Sequence, residues 1–158
     1  MELSYLISDK YFNKLLANAE NELLNGERIK FKKGATWRRE YVPDFPGVYA
    51  LFDKNELLYI GETGNLRERM NDVFRTVNHT FRRQLAKKRF GAGKTKKKFD
   101  GKIEALLDAF FDDDLYVSFV KSNFGRVEIE TALVTKYQMK LLNSIKKRKL
   151  KRELDEVD

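Results

Sequence analysis

The stretch from Phe45 to Met70 decides the fold. Its two informative halves are FPGVYALF (45–52) and LYIGETGNLRERM (58–70). Together they read as strand, turn, strand, glycine-containing loop and helix. Gly47–Phe52 and Leu57–Ile60 are rich in β-branched and aromatic residues, which suit a pleated surface. Asp53, Lys54, Asn55 and Glu56 between them are turn chemistry. After Gly61 and Gly64, Asn65 is suited to cap a helix, and Glu68 three residues on can close a capping box. Leu66, Met70, Val73, Phe74 and Val77 then recur at helical spacing, with Arg69 at the edge of that stripe. A tyrosine on each of two paired strands, Tyr49 and Tyr59, and an arginine near a helix start are the equipment for holding a phosphate.

Register decides whether the two phenols can meet. A hairpin loop with an even number of residues pairs Tyr49 with Ile60 and sends the tyrosines to opposite faces. A three-residue loop, Asp53–Asn55, pairs Tyr49 with Tyr59 on one face. A shared site needs that second register or a bulge; otherwise both are ordinary strand aromatics packed on a core.

These residues resemble the GIY-YIG nuclease family. Gly47-Val48-Tyr49 stands for the first triplet and Tyr59-Ile60-Gly61 for the second. Asn65-Leu66-Arg67-Glu68-Arg69 matches the family's Asn-Leu-x-x-Arg helix start, so Arg69 falls on its essential arginine. The resemblance runs from about Pro46 to Asn143. It implies an α+β fold, with a small three-stranded, mainly antiparallel sheet flanked by helices.

Around this core the bulk properties set limits. The 158 residues fit one domain with one sizeable core. We expect a helix and basic strands over 1–44, the core over 45–143 and a basic, then acidic, tail over 144–158. The net charge of +8 favours anionic partners, and DNA is the first candidate ahead of RNA. The absence of cysteine excludes a thiolate nucleophile and a cysteine zinc site, and one histidine excludes a histidine-rich metal site. No stretch approaches the roughly 20 apolar residues of a membrane span, and the first residues lack a signal peptide's apolar core. We therefore expect no membrane partner and a cytoplasmic location.

Ser8 can cap a helix over Asp9–Asn25, with Gly26 as its stop. The segments 28–33 and 37–42 interleave aromatics with positive charge, as base-stacking surfaces or as alternating edge strands with solvated basic faces. From Arg82 to Lys98 there are nine Lys or Arg and no acid. Arg82, Arg83, Lys87, Lys88 and Arg89 read as an exposed helix face. Lys94, Lys96, Lys97 and Lys98 read as an arm, and the whole insert reads as a DNA contact. His79, just beyond the arginine helix, is suited to act as a general base or phosphate ligand, or to cap a helix. Helical periodicity marks 99–111, and 115–120 reads as the third strand.

The last long helix, 126–142, carries a carboxylate where a leucine belongs. Val127, Val134, Tyr137 and Leu141 step by threes and fours, and Glu130 fills the vacant place at the centre of the stripe. An unpaired buried carboxylate costs several kcal/mol, so Glu130 must be ion-paired, protonated or metal-bound. The resemblance assigns it to metal. It implies that Glu130 holds one Mg²⁺ or Mn²⁺ at the scissile phosphate and that Arg69 balances the transition-state charge. It further implies that Tyr49 orients or deprotonates water, that Tyr59 binds the phosphate or that water, and that Asn143 supports the site. Two positions depart from the family pattern. Val73 stands where many members place tyrosine or histidine, and Glu62 stands where lysine is common. The implied activity is metal-dependent DNA cleavage. The alternatives are a catalytically inactive DNA- or RNA-binding domain, or a nuclease subunit of a larger repair, restriction or mobile-element system. Target choice then falls to the insert, the two ends, a homodimer or a partner protein.

Overall fold

Ten elements are arranged around one sheet in the computed structural model, which describes residues 9–77, 79–95 and 97–143. In chain order they are α1 (Asp9–Asn25), β1 (Ile29–Lys30), α2 (Ala35–Tyr41), β2 (Gly47–Asp53), β3 (Glu56–Thr63), α3 (Leu66–Asp72), α4 (Thr80–Phe90), α5 (Gly101–Asp113), β4 (Leu115–Lys121) and α6 (Arg126–Lys136). The sheet has the order β1-β4-β2-β3 with every pairing antiparallel. The fold is α+β as expected, with four strands rather than three, because the short β1 pairs Ile29 with Val117 and Lys30 with Tyr116.

Both faces of the sheet are covered. Val48, Ala50, Phe52 and Ile60 pack with Ala19 and Leu23 of α1 and with Ile129 and Leu133 of α6. Tyr49, Leu51 and Val117 pack on the other face with Met70, Phe81, Leu107 and Phe111. Strand β2 is therefore buried along almost its whole length, although its residues alternate between two cores. Each fully buried large apolar side chain stabilises the fold by about 1.5–3 kcal/mol.

Several local expectations meet their physical reasons here. α1 covers the expected span, and Gly26 ends it with its N–H on the Glu22 carbonyl at 3.1 Å. The proposed Ser8 cap lies outside the described residues. Asn65 caps α3, its side chain accepting from Glu68 N at 3.0 Å. That helix stops at Asp72, earlier than the apolar spacing suggested, and Val77 is exposed. Segment 37–42 is not a strand. Trp37 sits on α2 and turns inward edge-on to the Phe31 ring, 5.2 Å between centroids, so neither ring is a base-stacking surface. The last helix ends at Lys136 rather than running to Leu142. Among the described residues no helix is long and apolar enough to cross a membrane.

Candidate active site

The hairpin solves the register problem with a bulge. Lys54 and Asn55 form a two-residue turn, Asp53 pairs with Glu56, and Lys54 adopts a left-handed φ of 52°. That turn alone would set Tyr49 opposite Ile60. An irregularity between Leu51 and Phe52 shifts the pairing by one, so Tyr49 faces Gly61 and Leu51 faces Tyr59. Tyr49 and Tyr59 thus share a face, their rings stacked at 6.2 Å and 23°. Gly61 is essential to this arrangement. A Cβ added there would lie 2.3 Å from Tyr49 Cζ and 2.4 Å from its hydroxyl oxygen, so any side chain at 61 must displace the phenol.

Three further elements and the end of β3 close the site into a polar cleft of about 250 Å³. Arg69 enters from α3, Glu62 from β3, Glu130 from α6, and His79, Thr80 and Arg83 from the start of α4. Arg69 Nε is buried without a hydrogen-bond partner among the described residues. Glu130 is 3% exposed, buried as the helical wheel required, yet it borders the cleft. Glu62, at the family's lysine position, accepts from Arg126 Nε at 2.9 Å.

His79 reaches the site by a reversal of the chain after α3. Arg75 N bonds to Asp72 O and His79 N to Arg75 O, which curls the segment back. The imidazole caps α4, with Nδ1 accepting from Phe81 N at 3.0 Å, and its Nε2 lies 2.8 Å from the Tyr49 hydroxyl. Val73, at the family's polar position, is fully buried in the core. Burial, with Arg69 and Arg83 nearby, lowers the His79 pKa to about 3, so the ring is neutral at physiological pH. Burial raises the Tyr49 phenol well above its ordinary value. Tyr59, Glu130 and Glu62 push the same way, and Arg69 opposes them.

The remaining sequence-derived candidates separate sharply. Asn143 does not line the cleft. It grips the edge of β3, accepting from Ile60 N at 3.1 Å and donating to Ile60 O at 2.7 Å, one residue from Tyr59. Arg82 is not an exposed DNA contact. It is buried, donating to Glu104 at 2.5 Å, Asp108 at 2.9 Å and Thr76 Oγ1 at 3.0 Å. Arg89 is committed to Asp53 and Glu56 of the hairpin turn. Arg83 donates to the carbonyls of Thr76 and Val77 at 2.8 and 3.0 Å and lines the cleft. Lys88, Lys94, Lys97 and Lys98 are exposed, Lys87 is half-buried, and Lys96 lies outside the described residues. Thr80 and the Glu62–Arg126 pair carry no sequence signal of their own. The spacing of Glu104 and Asp108, one helical turn apart, is the available sign that a buried arginine faces them.

For a metal, the donor set is informative. Among the described residues no group of three or more His, Cys, Asp or Glu is placed to cage an ion. The carboxylates in the cleft, Glu130 and the Arg126-bound Glu62, are hard oxygen donors, and so few of them fit a cation that keeps most of its waters and shares a phosphate, as Mg²⁺ does.

Phenols, cations and carboxylates thus line one small polar space. A family model described as the GIY-YIG catalytic domain matches residues 47–157, most of the chain, and the protein belongs to that family. It carries a nuclease-type domain. No curated protein and no solved structure gives a significant match.

Proposed function

We propose that the protein is a metal-dependent DNA endonuclease that hydrolyses phosphodiester bonds at this cleft, with a single Mg²⁺ or Mn²⁺ on Glu130. The observation that carries the proposal is the bulged register, which brings both tyrosines to the same side as Arg69 and Glu130. The cation would supply Lewis-acid stabilisation of the phosphate and of the departing 3′ oxygen.

The chain's own residues bind, orient and balance charge. Arg69 lines the cleft and offers its guanidinium charge to the phosphate, and Arg83 adds a second positive charge. Fixed donors aimed at a phosphorane-like state need no reorganisation when charge develops. Tyr59, half-buried, hydrogen-bonds the phosphate or the attacking water. Tyr49 is a neutral phenol at rest, so it orients that water. It can take the water's proton only as a phenolate, once positive charge gathered with the substrate lowers its pKa and its own proton has left through the cleft to solvent. Attack forms the new P–O bond as the bond to the 3′ oxygen breaks. Lys87, Lys88, Lys94, Lys97 and Lys98 would hold the flanking backbone, with specificity left to the ends, a second copy or a partner protein.

The test is incubation of purified protein with plasmid and branched DNA, in Mg²⁺ and in EDTA. We expect cuts in Mg²⁺ and none in EDTA. Salt-sensitive binding without cuts on any substrate would instead establish an inactive nucleic-acid-binding domain.

A further inference from the structure

We infer that His79 is a tautomer-locked hydrogen-bond donor that positions Tyr49, and that it cannot serve as the base that takes the Tyr49 proton. The kinetic part of this inference rests on the function proposed above; the tautomer does not.

The lock follows from donor and acceptor bookkeeping. Phe81 N is a backbone amide and can only donate. It lies 3.0 Å from His79 Nδ1, so Nδ1 presents a lone pair and carries no hydrogen. A neutral imidazole must then carry its hydrogen on Nε2. An imidazolium would set two N–H groups against each other at Nδ1. Nε2 lies 2.8 Å from the Tyr49 hydroxyl oxygen, so Nε2–H donates and the phenol oxygen accepts. Arg69 on α3 and Arg83 on α4 are the charged groups facing the ring, and both disfavour a second proton. Tyr49 on β2 and Tyr59 on β3, whose ring stands edge-on at 5.4 Å, lie beside it, and Glu62 on β3 and Glu130 on α6 line the same cleft.

Two consequences follow for the cleft. The hydrogen on the Tyr49 hydroxyl cannot point at His79, so it points away from the ring. Any phenolate formed on Tyr49 keeps the bond from Nε2–H, strengthened because the acceptor is then charged. A proton leaving Tyr49 must therefore exit through the cleft and not through the histidine. The bond also fixes the direction of the Tyr49 oxygen, the same oxygen that a Cβ at position 61 would displace.

The chain has a single histidine, so one spectrum decides the tautomer. Long-range ¹H–¹⁵N correlation on the uniformly ¹⁵N-labelled full chain should show one neutral imidazole protonated at Nε2, unchanged from pH 7 to pH 5. Protonation at Nδ1, or an imidazolium at pH 7, overturns the inference, whether or not the protein cuts DNA. For the kinetic part, His79→Phe should lower kcat by about a hundredfold, leave KM within about twofold, and move the rising limb of the pH–rate profile, which reports ionisation of Tyr49, to higher pH. His79→Gln, which keeps an N–H donor, should recover part of both. A His79→Phe variant with circular dichroism like wild type and an unshifted profile would overturn the positioning role.

Discussion

Two parts of one basic run have opposite fates. At its start, Arg82 and Arg83 turn inward. Arg82 joins α4 to α5 through Glu104 and Asp108, and both arginines hold residues of the 76–77 segment, through Thr76 Oγ1 and through the two carbonyls. That segment leads directly to His79. Further on, Lys88, Lys94, Lys97 and Lys98 stand in solvent. The lesson is that charge in a sequence does not reveal its partner. A guanidinium with an acidic pair across from it becomes internal architecture, while lysines without one stay exposed.

Removing the inner clamp should have the largest effect. Arg82→Met leaves Glu104 without its cation, Asp108 with only Lys33 at 3.4 Å and Thr76 without its donor, and should cost about 3 kcal/mol or more. Urea denaturation would show this as a lower midpoint. A loss below about 0.5 kcal/mol would mean that the inner and outer parts of the run do not differ.

Acid should separate the same regions. The folded His79 pKa, about 3, lies below its ordinary 6.5, so the unfolded chain binds the proton first. Stability is complete above pH 6.5 and falls as pH drops toward 3, with a slope approaching 1.4 kcal/mol per pH unit. For Glu104 and Asp108, burial alone would raise the pKa, but the bonds from Arg82 outweigh it and hold both below the usual range. Their contribution is present above about pH 4 and is lost as pH falls through the lower folded values. His79→Phe should therefore flatten the decline between pH 6.5 and 4, and Arg82→Met should flatten only the part below 4. Unfolding free energies against pH check both windows.

The outer part should answer to salt instead. Lys94, Lys97 and Lys98 changed together to Ser should leave stability within about 0.5 kcal/mol. The slope of log binding constant against log salt should become shallower by about 0.9 for each phosphate no longer neutralised. An unchanged slope would remove these lysines from the DNA surface. Lys88→Ser alone should show the smallest change, that of a single phosphate at most.

What the sequence made legible was local. The triplets around Tyr49 and Tyr59, the Asn65 cap and the misplaced Glu130 each depend on neighbours within a few residues, and each is placed as chemistry at that range dictates. The register was not legible, because parity arguments count loop residues and a bulge beyond the loop changes the count. The helix at Trp37 was missed because alternating aromatics mimic a strand until Phe31 claims the indole. His79 is legible as a site candidate and as a helix cap, but its bond to Tyr49 is not, since its approach requires the turn after Asp72. Those interactions join residues up to 30 positions apart.

The central claim is that Glu130, Arg69 and the two tyrosines form one catalytic cleft. Its most direct test is Glu130→Gln, assayed for DNA binding and for Mg²⁺-dependent nicking in the same preparation. We predict binding within about threefold of wild type and nicking reduced by about a hundredfold or more. Nicking at the wild-type rate would contradict it.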